Sequence, residues 1–169
     1  MTLHDLTVPQ LVKMLANLDN WLGAAVAFAD TKKFDPHTLL RARLAPDQYA
    51  LDRQLQACCD NAKFICARLA GKEWPAHPDT ETTFDQLRQR IAHVTAYVHG
   101  FKPEDFAEAD KRHITLPWMN GKWMTGAEYV RDFALPNLYF HFTTAYAILR
   151  HNGVPLGKAA FIGSVPMHG

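Results

Sequence analysis

The stretch NLYFHFTTAYAILRHNG (137–153) holds the side chain best suited to chemistry, His141. An imidazole changes charge near neutral pH. It serves as a general acid or base, as a nitrogen ligand for a divalent metal, or as a hydrogen-bonded polar member of a core. Leu138, His141, Ala145 and Ile148 are spaced three, four and three apart, so they share one face of a helix, with Phe142 and Leu149 beside them. His141 is therefore expected to point inward. Leaving its ring without partners there would cost about 1–3 kcal/mol, so a side chain, a trapped water or a metal must satisfy it. Asn137 lies one turn earlier on the same face. From these residues alone, a hydrogen-bonded core histidine is favoured over a ligand or catalytic group.

Other reactive residues form no competing constellation. Cys58, Cys59 and Cys66 are an odd count on one predicted helix without C-x-x-C spacing, which suits buried thiols in a reducing compartment better than disulfides or zinc. GVPLGK (153–158) lacks the spacing and the Ser/Thr of a phosphate loop; Lys158 is expected to anchor the C-terminal tail by bonding a carboxylate or helix-end carbonyls. His151 sits where a helix C-terminus favours a cation. His93 and His99 border a helix seam, and the remaining histidines fall in loops or termini.

The elements that must position His141 follow from apolar spacing. A first helix over about 8–29 carries Leu11, Leu15, Leu18, Leu22, Ala25 and Ala29, widened by Met14, Trp21 and Phe28, with Thr7 as N-cap and Pro9 in the first turn. A second over about 46–70 carries Leu51, Leu55, Cys58, Ala62, Ile65 and Leu69, and Gly71 stops it. A third over about 82–98 repeats the spacing with Phe84, Leu87, Ile91, Val94 and Val98. The last is interrupted. Thr125 and Glu128 have capping-box spacing, Pro136 predicts a break or kink near 134–136, and a helix over 137–151 ends at Asn152-Gly153. HTLLRARL (37–44) predicts a helical turn across the bundle, and Asn120-Gly121 a two-stranded ribbon whose Trp118, Met119, Trp123 and Met124 cover one bundle end. The expected fold is all-α: one domain over 1–169, an antiparallel four-helix bundle with a small β-hairpin before the last helical segment.

Bulk properties narrow the partners. Eighteen basic residues face seventeen acidic ones in a chain of 169, so no net charge draws it to nucleic acid or an anionic membrane. The hydrophobic fraction of 48% excludes a disordered chain. The N-terminal segment lacks a signal peptide's basic and apolar regions, and no apolar run approaches the ~20 residues needed to span a bilayer. A soluble, cytoplasmic protein is expected.

LPNLYFHFTTAYAILRHNGVPLGKAAFIG (135–163) and RARLAPDQYALDRQLQACCDNAK (41–63) closely resemble a bacterial family of unknown function within the DinB/YfiT-like superfamily of four-helix bundles. In metal-binding members of that superfamily, one histidine comes from the second helix and two from a His-x-x-x-His pair on the fourth, before a Leu-Arg and a Gly. Spacing back from Leu149-Arg150, the resemblance places the second histidine of the pair on His141 and the first on Asn137. No histidine occurs between residues 38 and 76; Gln54 is the expected stand-in on helix two, with Gln48 the alternative, and Asp47 and Asp60 flank the region. One imidazole and two amides form a poor set for zinc or nickel, which want three good nitrogen, sulfur or carboxylate donors.

Three functions are open at this point. A metal-dependent hydrolase or thiol transferase would use His141 as a ligand. A binding module would hold a small apolar ligand near His141, Asn137, Tyr146, Trp118 and Trp123. A structural protein would carry a degenerate site and act as a homodimer, its first-helix stripe serving core or subunit contact. The replaced histidines rank binding or structural roles above the metalloenzyme.

Overall fold

The structure, a computed structural model, describes residues 1–167 and 169. Its first helix, α1 (Leu3–Lys32), begins well before the apolar stripe does. The cap is Thr2, whose hydroxyl accepts the Asp5 N–H at 3.2 Å while the Asp5 carboxylate accepts the Thr2 N–H at 2.9 Å. The expected N-cap, Thr7, lies inside the helix instead, buried, its hydroxyl donating to the Leu3 carbonyl at 2.6 Å. Pro9 is an interior proline, not a first-turn one.

The second helix, α2 (Leu51–Ala70), starts later than its apolar pattern suggests, because residues 45–48 form a turn and Ala50 is extended. Gly71 ends it at φ +64°. A third helix, α3 (Phe84–His99), opens on a Thr83–Gln86 capping box. Two antiparallel strands follow, β1 (His113–Ile114) and β2 (Met124–Thr125). Asn120 and Gly121 both take positive φ as the turn reading requires, within a longer connection than a tight hairpin. The short α4 (Gly126–Glu128) carries the Thr125–Glu128 box and runs through a π-helical segment, Tyr129–Ala134, into α5 (Leu135–His151). Pro136 thus causes no break. It has no N–H to give and would crowd the carbonyl four residues earlier, and the preceding turn widens to absorb it. A last short helix, α6 (Lys158–Ile162), lies against α1.

Residue pairs define the topology. His4 meets Phe101 and Asp19 meets Arg88, so α1 and α3 are antiparallel. Gln54 meets His141 and Arg68 meets Tyr129, so α2 and α5 are antiparallel as well. Asp60 meets Arg90 and Arg53 meets Asp79 just ahead of α3, so α2 and α3 run parallel; Gln10–Tyr139 and Trp21–Tyr146 make α1 and α5 parallel. The result is an up-down-down-up four-helix bundle. Consecutive parallel helices demand a long return connection. Residues 72–82, extended at ~3.3 Å each, reach about 36 Å, enough to run back along the 20-residue α2 of about 30 Å.

One core unites the four bundle helices. Every seam residue named above on the first three helices is buried except Phe28, which is half-buried against Phe34, and so are Leu138, Ala145 and Ile148 on α5. Met14 and Trp21 are buried within this core, so the α1 stripe serves the bundle itself. No described helix is long and apolar enough to cross a membrane.

Candidate functional site

His141 is half-buried on the α5 face that meets α2. Gln54 Nε2 donates to the Tyr49 carbonyl at 3.3 Å, which turns its amide oxygen toward the ring; that oxygen lies 2.8 Å from His141 Nδ1. An amide oxygen only accepts, so Nδ1 carries the proton and Nε2 keeps a free lone pair. Burial lowers the ring's pKa, which favours this neutral tautomer. A donor-acceptor relay thus runs from a backbone carbonyl through Gln54, which is 1% exposed, to an imidazole acceptor.

Asn137 does not join the relay. Its amide donates to Asn61 Oδ1 at 2.5 Å, and Asn61 in turn donates to the Ala57 carbonyl at 2.8 Å. Tyr146 faces α1, edge-on to Trp21 and Phe161 at 5.5 Å. The ribbon's tryptophans do not seal a bundle end: Trp118 and Trp123 are 61% and 51% exposed, and Trp123 stacks on His113 at 3.5 Å. Met119 and Met124 pack on the core in their place. His141 and Gln54 are therefore brought together, while Asn137, Tyr146, Trp118 and Trp123 belong to other surroundings. Lys158 is exposed at the start of α6, with no side-chain bond among the described residues; Trp21 and Asn17 hold the tail through the Ala160 and Phe161 carbonyls, both at 2.9 Å.

Sequence reasoning missed a larger polar cluster where α2, the 72–82 connection and α3 meet. Arg90 is 2% exposed and donates to Asp60 at 2.7 Å, Asp79 at 2.9 Å and Glu81 at 3.1 Å. Lys63, equally buried, donates to Asp60 at 2.8 Å and to His77 Nδ1 at 3.0 Å. Arg53 pairs with Asp79, and Gln56 bonds both Arg53 and Glu81. Burial alone would lower the Arg90 pKa, yet Asp79, Asp60 and Glu81 outweigh it and raise it. His77 is lowered by burial and by the Lys63 and Arg90 charges. The signal in the sequence was the Asp79-Thr80-Glu81 run beside a mid-helix Arg90 and an Asp60-x-x-Lys63 pair. The cluster clamps the return connection to the bundle. It also commits Asp60 to ion pairs, away from His141.

A model of a domain family of unknown function, DUF1993, matches residues 3–162. The chain belongs to this family. It is also similar to a solved structure described as a DinB family member protein from Shewanella denitrificans, at 51% identity over 99% of this chain and 95% of that one, with a TM-score of 0.96. No curated protein matches it. The chain is thus a DUF1993 domain of the DinB-like superfamily, with the superfamily's all-α bundle.

The residues present in this DUF1993 chain do not fit the metal that the superfamily resemblance implies. A metal between α2 and α5 would need a histidine lone pair turned toward α2, and the nitrogen turned that way carries the proton bonded to Gln54. Asn137, the remaining expected donor, is bonded to Asn61 instead. Among the described residues, no group of three or more His, Cys, Asp or Glu side chains converges on one point. Burial pushes the Cys59 and Cys66 thiols up to about 12, and Cys58 well above its ordinary value, and all three lie buried in α2.

Proposed function

We propose that this DUF1993 chain is a non-catalytic binding module for a small, largely apolar ligand, oriented by the Nε2 acceptor of His141 at a degenerate metal position. The observation that carries the reading is the Tyr49–Gln54–His141 relay, which fixes one tautomer and leaves a half-buried acceptor with no protein partner among the described residues. Exposed aromatic surface lies beside it at Phe140. Phe140 is 51% exposed and lies edge-on to the imidazole at 5.3 Å, and Tyr49, whose carbonyl starts the relay, is 53% exposed. An apolar body resting on the Phe140 ring with one N–H or O–H directed at Nε2 suits that arrangement. No specific observation favours the hydrolase or thiol-transferase alternative.

The experiment combines elemental analysis with mass spectrometry of the solvent-extracted protein, purified without affinity tag or chelator, beside His141→Ala. The expected result is no stoichiometric zinc, nickel or iron after loading with excess ions, and an organic species that co-purifies with the parent protein and is lost in the variant. Near-stoichiometric metal, lost in His141→Ala, refutes the reading and returns the site to metal-assisted chemistry.

A further inference from the structure

We propose that the cleft between the C-terminal end of α2 and the β1–β2 ribbon is an oxyanion site for a small molecule bearing a carboxylate or phosphate on a flat apolar body. The cleft holds about 550 Å³ and is lined by Arg68, Arg112, Trp74, Thr115 and Leu116 among others. Along α2, Arg68 lies 14 residues beyond Gln54, about 21 Å at 1.5 Å per residue, so this site is distinct from the His141 relay.

Two half-buried guanidiniums share this cleft with no carboxylate to neutralise them. Arg41, Arg53, Arg88, Arg90 and Arg131 all pair with Asp or Glu. Arg43 and Arg150 are exposed and bond only carbonyls. Arg68 and Arg112 are neither exposed nor, among the described residues, within 4.0 Å of an acid. Neutral partners hold them in place. Arg68 donates to Tyr129 Oη at 3.1 Å and lies over the rings of Phe64, Trp74 and Tyr129 at 4.9, 5.7 and 5.9 Å. Arg112 donates through Nε to the Leu69 carbonyl at 3.0 Å, one of the last in α2. Its guanidinium fills the space that a Cβ at Gly71 would occupy.

Each guanidinium has five N–H donors, of which one is spent on the protein. The remaining donors, fixed in planar forks by ring stacking and by the helix end, match the geometry of carboxylate or phosphate oxygens. Trp74, 45% exposed on the same wall, offers a flat surface for the ligand's body.

The test is amide NMR of the full chain titrated with benzoate, with phenylphosphate and with uncharged benzyl alcohol. The expected result is saturable shifts at Gly71, His113–Leu116 and Gly121 with at least one anion and none with benzyl alcohol. A preference for phenylphosphate supports the site with a phosphate head, and a preference for benzoate supports it with a carboxylate head. Arg68→Gln and Arg112→Gln should each weaken the titration about tenfold or more. Because Arg112 also braces α2, Thr115→Glu is the second variant. It changes an exposed side chain, places a carboxylate in the cleft and should abolish the titration without lowering thermal stability. Absence of saturable shifts with both anions, an equal response to benzyl alcohol, or a titration that survives Thr115→Glu unchanged overturns the proposal.

Discussion

Replacing Arg90 with methionine tests whether the cluster holding the 72–82 connection is a stability element or a surface accident. The guanidinium is 2% exposed and bridges Asp60, Asp79 and Glu81 at 2.7–3.1 Å. Removing one member of a buried ion pair costs about 3–5 kcal/mol, because the partner is left buried and uncompensated. Two features reduce that figure here. The acids retain 26%, 34% and 12% side-chain exposure, so water reaches them, and Asp60 and Asp79 keep Lys63 and Arg53. A loss of about 2–3 kcal/mol is expected, roughly 5–10 °C in Tm for a domain of this size. Arg53→Ala is the internal control. It shares Asp79 but is 45% exposed and should cost no more than about 1 kcal/mol.

The pH dependence gives this prediction a sign. Burial alone would raise the Asp79 pKa, but the bonds from Arg53 and Arg90 outweigh it and hold the carboxyl below its ordinary 3.8. A depressed carboxyl contributes stability that is present above the unfolded value and lost as pH falls through the folded one. The gap between parent and Arg90→Met, measured by urea unfolding, should therefore be level above about pH 7, begin to narrow below about pH 6.5, where His77 is freed of the Arg90 charge that helps lower its pKa, and narrow further below about pH 4. A loss under about 0.5 kcal/mol at pH 7, or a gap that widens on acidification, would refute the reasoning.

Leu55 and Ile91 are 0% and 2% exposed, and truncating either to alanine should cost about 2–5 kcal/mol in denaturant titrations; losses under about 0.5 kcal/mol at both would sink the seam register. Gly126→Ala would drive a Cβ into the Ala109 carbonyl, a backbone obstacle, and should cost roughly 1–3 kcal/mol by calorimetry, whereas an unchanged Tm would mean the 100–112 loop yields freely. The three thiols, buried and raised by burial, should resist a disulfide reagent in the native protein and react together on unfolding; one fast native equivalent would contradict the burial of at least one cysteine.

What was legible in the sequence was what periodicity encodes. Leu11 to Ala29, Leu51 to Leu69 and Phe84 to Val98 are spaced as helix seams, and all of these seam positions are buried. Helix directions were less legible, because apolar spacing carries no sign along the axis. The parallel α2–α3 pair is set by the reach of residues 72–82 and by Arg90 gripping Asp79 and Glu81 within that segment. Starts and stops were legible only where a cap competes with no neighbour. The Thr125–Glu128 box stood alone, but Thr7 looked like a cap while Thr2 and Asp5 formed the working one. Trp118 and Trp123 show a further limit. Large apolar side chains read as cover, yet a two-residue strand pair is too short to fold both rings inward, and the flexible Met119 and Met124 fill the irregular edge of the core.

The His141 site was half legible, and the other half is decided by hydrogen-bond direction, which residue identity does not carry. Gln54 was placed on helix two as a stand-in for a missing ligand, and it does meet His141 there, yet a stand-in ligand and an orienting partner make opposite demands on the ring. A ligand set requires the imidazole lone pair to point at the metal that Gln54 would share; an orienting carbonyl requires an N–H in that direction. The Tyr49 carbonyl breaks the tie. By accepting the Gln54 amide N–H it turns the amide oxygen toward Nδ1, and the lone pair is left on the far side of the ring at Nε2. One backbone carbonyl, two residues ahead of α2 at its extended entry, thus separates an imidazole that could coordinate toward α2 from one that can only donate there.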